Sequence, residues 1–241
     1  MNEKGYIDSY VAFVDILGFK NFVNNNGSAI ISNLFNYIED LKNKALECFN
    51  NLKYKGNEKL KPASNITINI FSDSVIFSCP KNENNSLPTL LYVINRFLFN
   101  LLLDYNFLCR GAIAEGEFFA EKNIIFGPAL VEAYIMERNL SVYPRVIFTR
   151  NTIESYMKTC AEEMKNVLEN TLIGYDAEDD LFYADYIKNL LTEFIFNVQD
   201  YPTESEKASS TFNSIRKNAE DKISNEQVAG SSPVTSSKQP P

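Results

Sequence analysis

"YVAFVDILGFKNFV" (10–23) sets a single carboxylate, Asp15, at the end of an apolar run and follows it with Gly18. The β-branched and aromatic content of residues 10–19 predicts a strand, and apolar residues on both of its faces make it a central one. "NITINIFSDSVIFSCP" (65–80) repeats the arrangement. Ile66, Ile68 and Ile70 alternate as a strand, the chain turns near Ser72 and Asp73, and "SVIFSC" returns, which makes a hairpin with an acid at its tip.

Working outward, "SAIISNLFNYIEDLKNKALECFNNL" (28–52) carries Ile31, Leu34, Ile38, Leu41, Ala45 and Cys48 at intervals of three or four, one apolar stripe of a helix facing a sheet. Lys- and Asn-rich residues 50–64 read as a loop. A second helix follows in "NNSLPTLLYVINRFLFNLLLDYNF" (84–107), its start marked by Ser86 and Pro88. "CRGAIAEGEFFAEKNIIFG" (109–127) reads as paired strands, with Gly111 and Gly116 permitting bends. Pro128 opens a third helix, "PALVEAYIMERNL". The order β-α-β-β-α-β-β-α predicts an α+β fold, a mainly antiparallel sheet with helices over one face. "PRVIFTR" (144–150) adds a strand, and residues 150–170 and 181–200 read as helical.

The chain has 241 residues, 45% of them hydrophobic, enough for one substantial core. We expect a single domain over 1–201 and a disordered polar tail over 202–241, where large apolar residues all but vanish. Within that tail "VAGSSPVT" (228–235) matches the peptide encoded by the T-arm of a bacterial transfer-RNA gene. It is either an unselected read-through or a flexible Ser/Pro segment. Cys48, Cys79, Cys109 and Cys160 lack any C-x-x-C spacing, and "MNEKGYIDSY" has no apolar signal core, so reduced thiols and a cytoplasmic location are expected. The longest apolar run, 87–105, is interrupted by Asn95, Arg96 and Asn100 and reads as a buried helix rather than a membrane span.

A net charge of −8 disfavours nonspecific nucleic-acid binding. The chain contains no histidine, which removes Ser-His-Asp and Cys-His nucleophilic catalysis and His-ligated zinc. Chemistry must then rest on carboxylates, Lys, Arg, backbone amides and metal ions. Asp15 and Asp73 on neighbouring strands are what a two-metal phosphoryl-transfer site requires, because two crowded carboxylates stay ionised only beside a compensating cation. The alternative is that each acid merely shapes a turn.

Neighbouring residues bear on that choice. "DILGF" (15–19) resembles the first metal motif of class III nucleotidyl cyclases, and "FSDSVIFS" (71–78) the second. "CRGAIAEGEFF" and "FGPALVEAYIMER" resemble the family's later strand and its glycine-opened helix, in the same order, over residues 8–150. "FVDILGF", "RGAI", "GPALVEAY", "YPRVIF" and "DLFYADYI" look most like the Pycsar pyrimidine cyclases, bacterial antiphage enzymes that make cyclic UMP or cyclic CMP. The resemblance implies a ferredoxin-like class III cyclase fold working as a head-to-tail homodimer, whose product is read by a cyclic-nucleotide-responsive effector. It implies that Asp15, Asp73 and the Ile16 carbonyl hold two Mn²⁺ or Mg²⁺ ions. The amides of residues 16–19, including Gly18 and Phe19, would receive the triphosphate.

Two departures from the family pattern bear on substrate. Val131 and Ile135 stand where purine cyclases carry Asn and Arg, so Arg110, Arg138 or Arg145 must supply the phosphate-binding cation; Arg110 is the assignment made for catalysis. Asn69 and Ile124 replace the charged purine-reading pair, which argues for UTP or CTP, uracil favoured, because an amide can pair with either pyrimidine. Asn69 can equally be an ordinary strand residue. Other two-metal nucleotidyl transferases, or a catalytically silent nucleotide-binding dimerisation module, remain alternatives.

Overall fold

The computed structural model describes residues 5–51, 61–121 and 124–189. The chain runs β1 (Ile7–Ile16), α1 (Phe19–Asn25), α2 (Ser28–Asn51), β2 (Thr67–Phe71), β3 (Ser74–Pro80), α3 (Ser86–Tyr105), β4 (Cys109–Glu121), β5 (Ile124–Phe126) and α4 (Pro128–Leu140). There follow β6 (Val146–Phe148), α5 (Arg150–Met157), α6 (Glu162–Val167), a π-helical turn (Leu168–Leu172), β7 (Ile173–Asp176) and β8 (Leu181–Ala184). The expected boundary at 201/202 and the expected tail lie outside the described residues.

Strands order as β2-β3-β1-β4-β6-β8-β7, with β5 paired to β4. Every neighbouring pair is antiparallel except β4 and β6, which run parallel. With α2 between β1 and β2, and α3 between β3 and β4, this is a ferredoxin-like α+β core. β1 is central, as its two apolar faces predict, although it begins three residues earlier than expected and ends at Ile16.

The alternation along β1 divides the core. Tyr10, Ala12, Val14 and Ile16 face the main cluster with Leu34, Ile38 and Leu41 of α2 and Leu90, Leu91, Ile94 and Phe97 of α3. Val11 and Phe13 face the opposite side, with Ala129, Ala133 and Met136 of α4. Helices therefore cover both faces rather than one. Ala112 and Ala114 of β4 and Ala129 and Ala133 of α4 carry the shortest apolar side chains, and that lets the helix lie close on the sheet. Gly127 completes the approach: a Cβ there would come within 2.5 Å of the Glu117 carbonyl oxygen, and φ is 148°.

Helix α3 is long and apolar enough to cross a membrane, and it is instead packed in the core, as expected. Asn95 on its buried face donates from Nδ2 to the Leu172 carbonyl at 3.0 Å, which satisfies part of its amide inside the protein. Cys79 and Cys109 are buried and free, and Cys160 is half-buried and free.

Residues 181–184 are a strand where a helix was expected. The acidic stretch 177–180 forms a turn, with Asp180 in the left-handed region at φ 56°, and β8 returns against β7 and β6. Helix resumes only at 186–189 within the described residues. The expected helix over 150–170 is divided into α5, α6 and the π-helical turn.

Candidate active site

Asp15 occupies the last odd position of β1, on the face that α4 covers, in register with Ser74 of β3 and Arg110 of β4. Asp73 closes the two-residue turn between Phe71 and Ser74. The Ile16 amide donates to the Asp73 carbonyl at 2.8 Å, which locks the hairpin tip beside the end of β1. Ser72, the first turn residue, has φ 57°. The two acids thus meet because a central strand and a neighbouring hairpin end at the same level.

Burial pushes the Asp15 carboxyl above its ordinary value, the Asp73 charge adds to the rise, and Arg110 opposes it. Arg110 Nε lies 3.7 Å from Asp15 Oδ2 and 2.7 Å from Glu137 Oε1. Glu137, on α4, is 4% exposed. Burial raises its carboxyl too, with Arg110 acting against the rise and Asp15 for it. The site is a row of acid, base and acid crossing from sheet to helix, with Asp73 at one end.

Of the three arginines named from sequence, only Arg110 adjoins Asp15. Arg145 is committed elsewhere, paired with Asp176 at 2.7 Å and with Asp179, its side chain 11% exposed. Arg138 is exposed on α4 and donates to the Tyr134 hydroxyl at 3.4 Å.

The expected phosphate-binding loop needs correction. The Ile16 and Leu17 amides are engaged, the second donating to the Leu108 carbonyl at 2.9 Å, so neither is free for a ligand. Gly18 caps α1 with φ 80°, and no heavy atom stands within 4 Å of a Cβ built there, so the chain is open at this point. Phe19 turns its ring inward against Phe22 and Phe35 and contributes packing.

Asn69 lies on the same face as Asp15, in register with Ile76, which is itself in register with Phe13. Its Oδ1 is buried and accepts no hydrogen bond among the described residues, so the ordinary-strand reading leaves one polar atom unexplained. Val131, Ile135 and Ile124 are all exposed, at 56%, 49% and 62%.

The donor set suits a hard divalent cation: two carboxylates crowd one another, and a bound ion would relieve the cost. Among the described residues no group of three or more His, Cys, Asp or Glu side chains is placed to hold a metal, so ions here would complete their shells with carbonyl, substrate or water oxygens.

No family model matches the chain, and no curated protein does. Solved structures do. The adenylyl cyclase CyaB from P. aeruginosa is 12% identical with a TM-score of 0.45, covering 74% of this chain and 94% of that one. The guanylate cyclase domain of RhGC from Catenaria anguillulae in complex with GTP is 10% identical with a TM-score of 0.44, covering 74% and 96%. A bacterial light-regulated adenylyl cyclase is 15% identical with a TM-score of 0.42, covering 77% and 94%.

Glu137 escaped the sequence reading, which took α4 as a departure from pattern at Val131 and Ile135. A signal existed. Ala129, Ala133, Met136 and Glu137 fall at i, i+4, i+7 and i+8, so the acid lies on the buried stripe, where an unpaired charge does not belong.

Proposed function

We propose that this chain is a nucleotide cyclase that closes the ribose 3′-hydroxyl of a pyrimidine nucleoside triphosphate onto its α-phosphate, releasing pyrophosphate. The observation that carries the reading is the convergence of Asp15, Asp73 and Arg110 at the ends of adjoining strands, with the "DILGF" and "FSDS" motifs on the elements that hold them. Asp15, Asp73 and the Ile16 carbonyl would hold two Mn²⁺ or Mg²⁺ ions, which would supply a lowered pKa for the attacking hydroxyl and compensation for the charge on the leaving pyrophosphate. Arg110 supplies the phosphate-facing cation that Val131 and Ile135 cannot, and the open backbone at Gly18 leaves room for the phosphates.

Asn69 supports a pyrimidine. Its unengaged Oδ1 accepts from uracil N3–H or from the cytosine amino group, and neither Asn69 nor Ile124 offers a charge to a purine. UTP is favoured over CTP. The exposed apolar face formed by Val131, Tyr134, Ile135 and Phe126 supports a head-to-tail homodimer, since a patch of this kind on a small domain marks a contact surface. Cytoplasmic production of a cyclic pyrimidine nucleotide that a responsive effector reads in antiphage defence is the remainder of the proposal, and it rests on the motif resemblance.

The test is incubation of the purified chain with each of the four NTPs and Mn²⁺, with products identified by mass. Cyclic UMP is expected, lost in Asp15→Ala and Asp73→Ala. Cyclic CMP in excess overturns the uracil preference, cyclic AMP or GMP in excess overturns the Asn69 argument, and no cyclic product favours a silent nucleotide-binding module, a reading that Val131 and Ile135 support.

A further inference from the structure

Arg110 is held in an unusual way. Both acids reach it closest at Nε, Glu137 at 2.7 Å and Asp15 at 3.7 Å, while no hydrogen bond from Nη1 or Nη2 occurs among the described residues. Its side chain is 38% exposed, whereas that of Glu137 is 5% exposed. The close pair is also imperfect: Nε of Arg110 and Oε1 of Glu137 are both buried without a hydrogen bond, because at 2.7 Å the N–H is directed off the line to the oxygen. A bridge serving stability alone would make two parallel N–H···O bonds from the guanidinium to the carboxylate and satisfy both partners. This one grips the stem side of the guanidinium and leaves the fork unused.

We propose that Glu137 is the positioning residue for Arg110, fixing the guanidinium by Nε so that Nη1 and Nη2 present a two-pronged donor to a phosphate group beside Asp15. This rests on the cyclase reading for the identity of the phosphate, a nucleoside triphosphate. Asp15 competes for the same Nε from across the strand. Once the Asp15 charge is compensated, Glu137 is the sole acid holding Nε, and a small turn of the guanidinium aligns the N–H that is now misdirected. The carboxylate therefore acts through Arg110 and does not touch substrate. Glu137 is one of the buried residues of α4, so it braces the arginine from the protein side while the guanidinium stays partly exposed.

The experiment measures binding of magnesium tripolyphosphate, which has no ribose to cyclise, by calorimetry on the full chain. Losing one charge-assisted hydrogen bond corresponds to about 10–100-fold weaker binding. Glu137→Gln is expected to fall in that range, and Glu137→Asp to recover part of the loss. Arg110→Ala is expected to lose at least as much as Glu137→Gln, and Glu137→Gln added to Arg110→Ala to lose nothing more, because an effect routed through one residue disappears with it. Unchanged affinity in Glu137→Gln, full additivity in the double variant, or no binding by the unmodified chain overturns the proposal. Should Glu137→Gln fail to fold, Arg110→Lys decides: an ammonium cannot be held at Nε while offering a fork, so wild-type affinity in that variant overturns it equally. Product formation from NTPs is scored separately, so a chain that binds tripolyphosphate through this pair and cyclises nothing keeps the inference while losing the proposed reaction.

Discussion

Asp15 carries an electrostatic cost that its surroundings only partly offset. Burial and Asp73 raise its pKa above the ordinary 3.8, and Arg110 pulls the other way. An acid with a raised folded-state value binds more protons folded than unfolded, so its contribution to stability is best below about 3.8 and declines as pH climbs from there through the raised value. Glu137 contributes with the same sign above 4.5. Asp15→Asn should therefore melt higher than the unmodified chain at pH 7 without divalent ions, by on the order of 1 kcal/mol, or roughly 2–4 °C for a chain of this length. The difference should vanish near pH 3.5. Added Mg²⁺ should raise the melting temperature of the unmodified chain alone, since only that chain retains the crowded pair. An Asp15→Asn variant that melts lower at neutral pH would show that Arg110, not Asp73, dominates the carboxylate's surroundings.

Elements differ in how plainly the sequence announced them. Helix α2 was legible because a stripe of several turns leaves a period that no strand imitates, and α3 because a long apolar run opens at Ser86 and Pro88. The hairpin carrying Asp73 was legible from strict alternation broken by Ser and Asp. The far end of the sheet was legible only at β6, which falls within the strand expected at 144–150; β7 and β8 were not, because they span four residues each and "DLFYADYI" satisfies helix and strand patterns alike. What decided it was the turn at 177–180, an acidic segment readable as surface helix until the left-handed Asp180 is seen. Within the site, acids and glycines at strand ends were visible, whereas the engaged amides of Ile16 and Leu17 and the Arg110–Glu137 pair depend on partners distant in sequence. The hairpin turn also carries a testable strain. Ser72 adopts φ 57°, a region that costs a residue with a side chain about 1–2 kcal/mol and costs glycine little. Ser72→Gly should raise the unfolding free energy by ~1 kcal/mol in chemical denaturation with the slope unchanged, and a loss of stability would mean that the hydroxyl holds the turn.

At the scale of the whole molecule, the outer face of α4 matters most. Val131, Tyr134 and Ile135 recur at i, i+3 and i+4, all more than 40% exposed, beside Phe126 and a cavity of about 660 Å³ that Val131, Ile135 and Tyr6 line. Charges placed there, as in Val131→Asp with Ile135→Glu, should convert a dimer to a monomer by light scattering and abolish product formation. The melting temperature at low protein concentration should change little, because Val131 and Ile135 are 56% and 49% exposed and belong to none of the core clusters among the described residues. A double variant that stays dimeric would move the contact surface elsewhere.

The central place of β1 has a consequence for how the chain is made. Its partners are Ser74–Pro80 on one side and residues 109–118 on the other, so of this sheet's strands the one made first is among the last to be paired on both edges. At roughly 5–20 residues per second, synthesis of the hundred or so residues that separate β1 from the end of β4 takes about 5–20 s. Throughout that interval "YVAFVDI" is an unpaired apolar segment of high β-propensity, the kind that associates with copies of itself on neighbouring nascent chains. Ribosome-stalled chains ending near residue 90 should be captured by chaperones and cut readily within residues 7–16, and those reaching about residue 160, with β4 outside the exit tunnel, should resist the same protease.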